Sequence, residues 1–322
     1  MKEKILIPQK IAEKGRLYLL EKGYELIENI PVDSESLKYE IADCDAVLLR
    51  TAPLDAEVLH AAKKLKIVAR HGAGYDNVDW KEAEKLGIYV TNTPNVTSVP
   101  VAEFTIGCII NCTKQIWSCN CEFRKGDFNY KAEHKGRELF GKKLGIIGLG
   151  SIGKEVAKRA YFGLGMQVQA FVPRPEKKEI PDYVKCISKE ELFHTSDVIS
   201  VHIPGGVENR HFISSEEIAL MKSDAWLINV SRGGVVDEEA LADAVEKGSI
   251  AGASVDVFEK EPPDCDNRLL RTPGIFVTPH MASNTVECMD RMAITAAGEI
   301  HRVLSGKLPL HAVNHPQNSG PV

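Results

Sequence analysis

The 322-residue sequence predicts an α/β protein with two doubly wound parallel sheets, and three observations predict it. Short β-branched runs alternate with amphipathic stretches, the order expected of strands joined by crossover helices. The runs are apolar throughout, as strands covered by helices on both faces must be. The alternation occurs twice, on either side of an interruption at residues 93–98, so the chain holds two such units. Two domains also suit the length, at about 150 residues per domain.

Taken in order, the first unit reads as strands at residues 4–7, 25–27, 46–49, 67–69 and 88–91, with helical segments between them. Pro94 and Asn95 then break the pattern. The apolar segment that follows admits Pro100 in its first turn, where a missing amide is harmless, and reads as one helix over residues 99–125. Its residues Ile106, Ile109, Ile110, Ile116 and Trp117 cover more than one face, which suits an interdomain or subunit contact, and a homodimer is expected. Strands of the second unit read at residues 144–147, 167–171, 198–202, 225–229, 253–257 and 275–278. A last helix spans residues 285–304, and beyond Asn314 the polar, Pro- and Gly-bearing tail is expected to fray.

Composition narrows the function classes. With 43% hydrophobic and 26% charged residues the chain can bury a core in each unit, which excludes a disordered protein. Forty basic residues against 45 acidic ones leave a net charge of -5, so no overall positive field exists to hold a nucleic acid, and none is expected as partner. The apolar start at Ile5 to Ile7 ends at Pro8, too short for a secretion signal, and no run approaches a membrane span. Membrane partners are therefore not expected, and the eight cysteines read as free thiols of a cytoplasmic protein. Cys108, Cys112, Cys119 and Cys121 cluster, but they fall within one predicted helix and do not form two knuckles. They read as small buried hydrophobes, and no metal is expected.

One loop carries a chemical signature. After the strand at 144–147 come Gly148, Leu149, Gly150, Ser151, Ile152 and Gly153, then a helical run: GxGxxG in the strand-loop-helix setting of a dinucleotide site. Gly148 permits the tight turn, Gly150 lets the backbone approach a pyrophosphate, and Gly153 brings helix and strand together. The helix start offers unpaired amides to the anion. About 20 residues on, where NAD enzymes place an acid for the adenosine ribose, this chain has Val172, followed by Arg174, Lys177 and Lys178. No carboxylate repels a 2′-phosphate there and a guanidinium could grip one, so NAD and NADP both stand as cofactors.

Three further segments follow: NVSRGGVVDEEAL with Arg232, ASVDVFEKEPP with Asp256 and Glu261, and VTPHMAS with His280. With GLGSIG, and with RHGAGYDNVD and TNTPNVTSVPVAE in the first unit, their order and spacing resemble the D-isomer-specific 2-hydroxyacid dehydrogenase family, which includes D-3-phosphoglycerate dehydrogenase and glyoxylate/hydroxypyruvate reductases. The resemblance covers nearly the whole chain. It implies a Rossmann cofactor domain, residues 99–284, inserted in a flavodoxin-like substrate domain made of residues 1–98 and 285–322. It implies Arg232, Glu261 and His280 as the catalytic set, and the backbone of Gly72, Ala73 and Gly74 as holder of the substrate carboxylate. Cofactor contacts would come from Thr97, Ser151, Ile152, His202, Val230, Ser231, Arg232 and Asp256. The chain departs from the family pattern at Phe128, where a Trp is usual, and in IPGGVENRH after the strand at 198–202.

The chemistry of these side chains fits such a reaction. Reducing a 2-keto acid needs a hydride at the carbonyl carbon and a proton at the oxygen. An imidazole beside a carboxylate can be charged near neutral pH and supply that proton. A guanidinium offers a planar fork for the substrate carboxylate. Taken singly, His280 could be a structural histidine, and Arg232 and Glu261 solvated loop residues; as an ordered set they read as a site. The resemblance implies hydride transfer between NAD(P)H and a small 2-keto acid to give the D-2-hydroxy acid, with glyoxylate, hydroxypyruvate or phosphohydroxypyruvate as substrate. The same fold also serves as a cofactor-sensing dimeric corepressor, and that alternative stays open because fold alone does not fix function.

Overall fold

The computed structural model describes residues 2–177 and 179–316. The chain divides into two units, one made of the residues up to Thr97 together with those from Asn284 onward, the other spanning Ser98–Ser283.

The first unit runs through β1 (Lys4–Ile7), α1 (Glu13–Glu21), β2 (Glu25–Glu28), α2 (Ser34–Ile41), β3 (Ala46–Leu49), α3 (Ala56–Ala61), β4 (Ile67–Arg70), α4 (Trp80–Lys85) and β5 (Tyr89–Thr91). Among the described residues these strands form a parallel sheet in the order β2-β1-β3-β4-β5, the flavodoxin-like arrangement. The period-2 alternation of strand side chains feeds two cores. Val47, Leu49 and Val68 point to one, while Ala46, Leu48, Ile67 and Ala69 meet Ala293 and Ile300 of the C-terminal helix in the other. Asp33, Asp55 and Asp79 each accept a first-turn amide at the starts of α2, α3 and α4. Each such cap is worth about 1 kcal/mol.

The second unit runs through α5 (Ser98–Lys114), α6 (Ile116–Arg124), α7 (Tyr130–Glu133), β6 (Lys143–Ile147), α8 (Ser151–Leu164), β7 (Gln167–Phe171), β8 (Val184–Cys186), α9 (Lys189–Thr195), β9 (Val198–Val201), α10 (Ser215–Ala219), β10 (Trp226–Asn229), α11 (Glu238–Glu246), β11 (Gly252–Val255) and β12 (Ile275–Val277). The chain then enters α12 (Val286–Leu304), the C-terminal helix of the first unit. The second sheet is parallel with the order β12-β11-β10-β9-β6-β7-β8, a Rossmann-type arrangement with one added edge strand. From β6 the chain moves outward to β7 and β8, then returns to β9 on the other side of β6. That reversal opens a ligand crevice at the C-terminal ends of β6 and β9.

Two elements differ from the sequence reading. The helix expected over 99–125 is broken at Gln115, which takes a left-handed φ of 54°. Thr113 O, which a continuing helix would offer to Trp117, instead accepts the Arg137 amide at 2.7 Å, and the Trp117 amide donates to Asn111 Oδ1 at 2.9 Å. A passing segment thus ends α5, and an upstream side chain starts α6. The second difference is β8, three residues on the sheet edge with Lys185 exposed at its centre, too short and polar to show an apolar run. Of the tail expected to fray, residues 317–322 lie outside the described residues, as does Lys178.

Cys108 and Cys112 are buried in the core between α5 and the second sheet, whereas Cys119 and Cys121, expected to be buried with them, are only half-buried on α6, which packs no residue fully inside. Burial pushes the Cys108 thiol up to about 11, so it packs as a neutral, unreactive group.

Candidate active site

The glycine loop sits between β6 and α8, at the reversal point of the second sheet. Gly148 has a φ of 94°, and a Cβ there would lie 2.5 Å from His202 O. A Cβ at Gly153 would overlap Gly148 O, so both positions are closed to any side chain. Gly150 behaves differently. It begins α8 with no side-chain cap, and a Cβ on it would meet nothing within 4 Å. The space beside Gly150 is open, and the first-turn amides of Ser151, Ile152 and Gly153 lack acceptors inside the helix. This is a cradle suited to a pyrophosphate, and the residues present fit a dinucleotide.

Beside it, His202 follows β9 with Nε2 at 2.8 Å from Ser200 Oγ and Nδ1 buried without a partner among the described residues. Burial lowers its pKa to about 3, so it stands neutral. Val172 is packed in the core after β7, whereas Arg174, two residues on, is exposed with a φ of 55°. No acidic side chain occupies the Val172 position.

The loop after β10 carries Val230, Ser231 and Arg232. Asn229, buried at the strand end, fixes it: Oδ1 accepts from the Ser231 amide at 3.1 Å and from Ser231 Oγ at 2.9 Å, while Nδ2 donates to Arg232 O at 3.1 Å. Val230 is buried in the core. Arg232 Nη1 donates to Ser231 O at 2.8 Å, and Gly205 lies against the Arg232 stem, 3.1 Å from Cγ to a Cβ placed there.

Asp256 follows β11 and is fully buried. Its carboxylate accepts from Thr278 Oγ1 at 2.6 Å and from the amides of Met281 and Ala282 at 2.9 Å each. Asp256 O also accepts the His280 amide at 2.8 Å. Asp256 thus holds the turn carrying His280, a non-glycine residue with a φ of 49° that needs such restraint.

His280 Nδ1 lies 2.6 Å from Glu261 Oε2, both side chains being half-exposed. Glu261 Oε1 accepts the Phe258 amide at 3.1 Å. Burial by itself would raise the Glu261 carboxyl, but the hydrogen bonds from His280 and Phe258 and the charges of His280 and Arg232 outweigh it and hold it below the usual carboxylate range. The Glu261 carboxylate thus contacts His280 and feels the charge of Arg232.

The first unit holds the remaining expected residues. Gly72 follows β4 with a φ of 148°, and its amide donates to Arg70 O at 3.0 Å while its carbonyl accepts from Thr93. Ala73 O accepts from Asn92 Nδ2 at 2.7 Å. The amides of Ala73 and Gly74 have no partner among the described residues, so they are the loop's available donors. Thr97 is buried at the end of the unit. Sequence reasoning did not single out Asn229 or Thr278. Their signals were present: a polar residue closing the apolar strand WLIN, and a hydroxyl two positions before His280.

Comparison with known proteins identifies the family. Residues 106–282 match the family described as D-isomer specific 2-hydroxyacid dehydrogenase, NAD binding domain. The chain is 38% identical to a glyoxylate reductase of Korarchaeum cryptofilum, over 98% of this chain and 96% of that one. It is 36% identical to a D-3-phosphoglycerate dehydrogenase of Methanocaldococcus jannaschii over 97% of its own length, and spans 60% of that relative. The fold is similar to that of an NADPH-dependent glyoxylate/hydroxypyruvate reductase from Sinorhizobium meliloti in complex with NADP and malonate, with a TM-score of 0.84 and 28% identity over 100% of this chain and 98% of that one. The dinucleotide cradle, the Glu261–His280 contact and these likenesses together assign the chain to the D-isomer specific 2-hydroxyacid dehydrogenase family, NAD(P)-dependent oxidoreductases of 2-hydroxy acids.

Proposed function

We propose that this enzyme reduces a small 2-keto acid to its D-2-hydroxy acid, and runs the reverse, with His280, Glu261 and Arg232 as its catalytic set. The observation that carries the reading is the 2.6 Å contact between His280 Nδ1 and Glu261 Oε2 in the field of Arg232. The bound nicotinamide supplies or takes the hydride. His280 gives a proton from Nε2, the nitrogen that Glu261 does not engage, to the carbonyl oxygen where negative charge develops. In oxidation the neutral ring takes it back. Glu261, held below the usual carboxylate range and so ionised at neutral pH, fixes the ring through Nδ1. Arg232 binds the substrate carboxylate and polarises the ketone.

The amides at the head of α8, with Gly148, Gly150 and Gly153, would hold the pyrophosphate, and Thr97, His202, Val230 and Ser231 would line the dinucleotide, with the buried Asp256, expected from the sequence as a cofactor contact, instead supporting the His280 turn from behind. Arg174 would meet a 2′-phosphate, which supports NADP alongside NAD. Ala73 and Gly74, with Gly72 shaping their turn, would offer amides to the substrate carboxylate. Glyoxylate and hydroxypyruvate are the proposed substrates, with phosphohydroxypyruvate next, a reading supported by relatives named glyoxylate reductase and hydroxypyruvate reductase at 38% identity and D-3-phosphoglycerate dehydrogenase at 36%. A cytoplasmic homodimer is proposed, supported by Ile116 and Trp117, which remain more than half exposed on α6. Among the described residues no helix is long and apolar enough to cross a membrane. The corepressor-like alternative is not favoured, because the matched relatives carry the names of enzymes.

The test is a panel of 2-keto acids assayed with NADH and NADPH, using wild type and Arg174→Ala. Oxidation of either cofactor with glyoxylate or hydroxypyruvate supports the reading, and loss of NADPH preference in Arg174→Ala supports the phosphate role. Tight cofactor binding without turnover of any acid would contradict the enzyme reading.

A further inference from the structure

We propose that Arg210, His211 and Glu259 form a clasp that aims Glu261, acting as positioning residues; the inference rests on the catalytic reading of Glu261 given above. Glu261 lies in an irregular loop after β11, with its carboxylate held at its tip by His280 and the Phe258 amide. Two residues earlier, Glu259 is gripped from two sides. Arg210 Nη2 lies 2.9 Å from Glu259 Oε2, and His211 Nε2 lies 2.7 Å from Glu259 Oε1. The Glu259 amide donates to Glu238 Oε1 at 2.6 Å, and Glu238 Oε2 in turn accepts from Asn267 Nδ2 at 2.7 Å. Glu259 therefore anchors its loop through both side chain and backbone.

The same dipeptide also holds the Arg232 loop. The His211 amide donates to Gly234 O at 2.8 Å, and the ring's Nδ1 lies 3.7 Å from Asp237 Oδ2. His211 adopts a left-handed φ of 50°, a conformation that a non-glycine residue keeps only where its surroundings impose it. Gly233 is pressed against the backbone of Phe258 and Glu259 so closely that any Cβ would overlap it. The loops bearing Arg232 and Glu261 thus touch directly, and Arg210-His211 joins both. As an ion pair in a half-open setting the clasp adds little to global stability. Its effect is on aim, where a displacement of about 1 Å can cost on the order of 100-fold in rate.

The test is a double-mutant cycle between Glu259→Gln and Glu261→Gln, read in kcat, NADH affinity and melting temperature. Glu259→Gln is expected to lower kcat on the order of 10- to 100-fold with NADH affinity retained. In the Glu261→Gln background the same change should cost no more than about twofold, because no carboxylate remains to be aimed. Equal losses in both backgrounds, or wild-type kcat in Glu259→Gln, would overturn the clasp. Should Glu259→Gln fail to fold, His211→Gln takes its place in the same cycle with the same two outcomes, and Arg210→Lys should keep most of the rate. If Glu261→Gln by itself leaves kcat unchanged, the catalytic reading fails; if it is slow while Glu259→Gln is not, only the clasp fails.

Discussion

His280 Nδ1 and Glu261 Oε2 stand 2.6 Å apart although they are 19 positions apart in the sequence, and each is presented by a restrained loop. The His280 turn is pinned by the buried Asp256 carboxylate, and the Glu261 carboxylate is met by the Phe258 amide. The pair is thus held in place by the backbone around it, as the proposed proton transfer requires.

Removing the charge of Glu261 while keeping its shape should therefore slow the chemistry without loosening the cofactor. Glu261→Gln is expected to lower kcat about 100-fold, with the dissociation constant for NADH unchanged in a fluorescence titration. A parallel loss of cofactor affinity would assign Glu261 to binding instead.

The glycine loop separates packing from binding. Gly150→Ala places a methyl in open space at the start of α8, so the protein should fold, with a capping cost of about 1 kcal/mol, yet bind a closely approaching dinucleotide more weakly. Gly153→Ala forces helix and strand apart and should instead lower the melting temperature in the absence of cofactor. Calorimetry with and without NADH distinguishes the two, and unchanged dinucleotide affinity in Gly150→Ala would contradict the cradle.

His71 predicts how stability follows pH. Burial lowers its pKa from 6.5 to about 4, so the folded protein keeps the ring neutral where the unfolded chain protonates it. Between these values the unfolded state binds more protons, and stability is full above 6.5 and falls as pH falls toward 4. His202, lowered to about 3, acts in the same direction. Melting temperatures measured from pH 7 to pH 4 should therefore decline, and less steeply in His71→Gln. An identical slope in the variant would show that His71 titrates alike in both states.

Much of this molecule could be read from the sequence because its signals are local. A strand buried on both faces must be apolar throughout, and Ala46–Leu49 shows it. Gly148 and Gly153 are demanded by contacts within a few residues of themselves or at one neighbouring strand end. What escaped was set by distant partners. Nothing near Gln115 marks a break, since Arg137 arrives from beyond α7 to take the Thr113 carbonyl. Glu259 reads as one acid in a charged loop until Arg210 and His211, 49 and 48 positions away, are seen on its oxygens. Likewise, only the folded loop reveals that the Gly72 amide is taken by Arg70 O, leaving the next two amides as donors.

Steady-state turnover of His280→Ala tests the proton-donor role most directly. With NADH or NADPH and the best 2-keto acid, kcat should fall on the order of 100- to 10,000-fold while cofactor binds as in the wild type. Turnover undiminished in that variant would contradict the role of the imidazole, and with it the proposed mechanism.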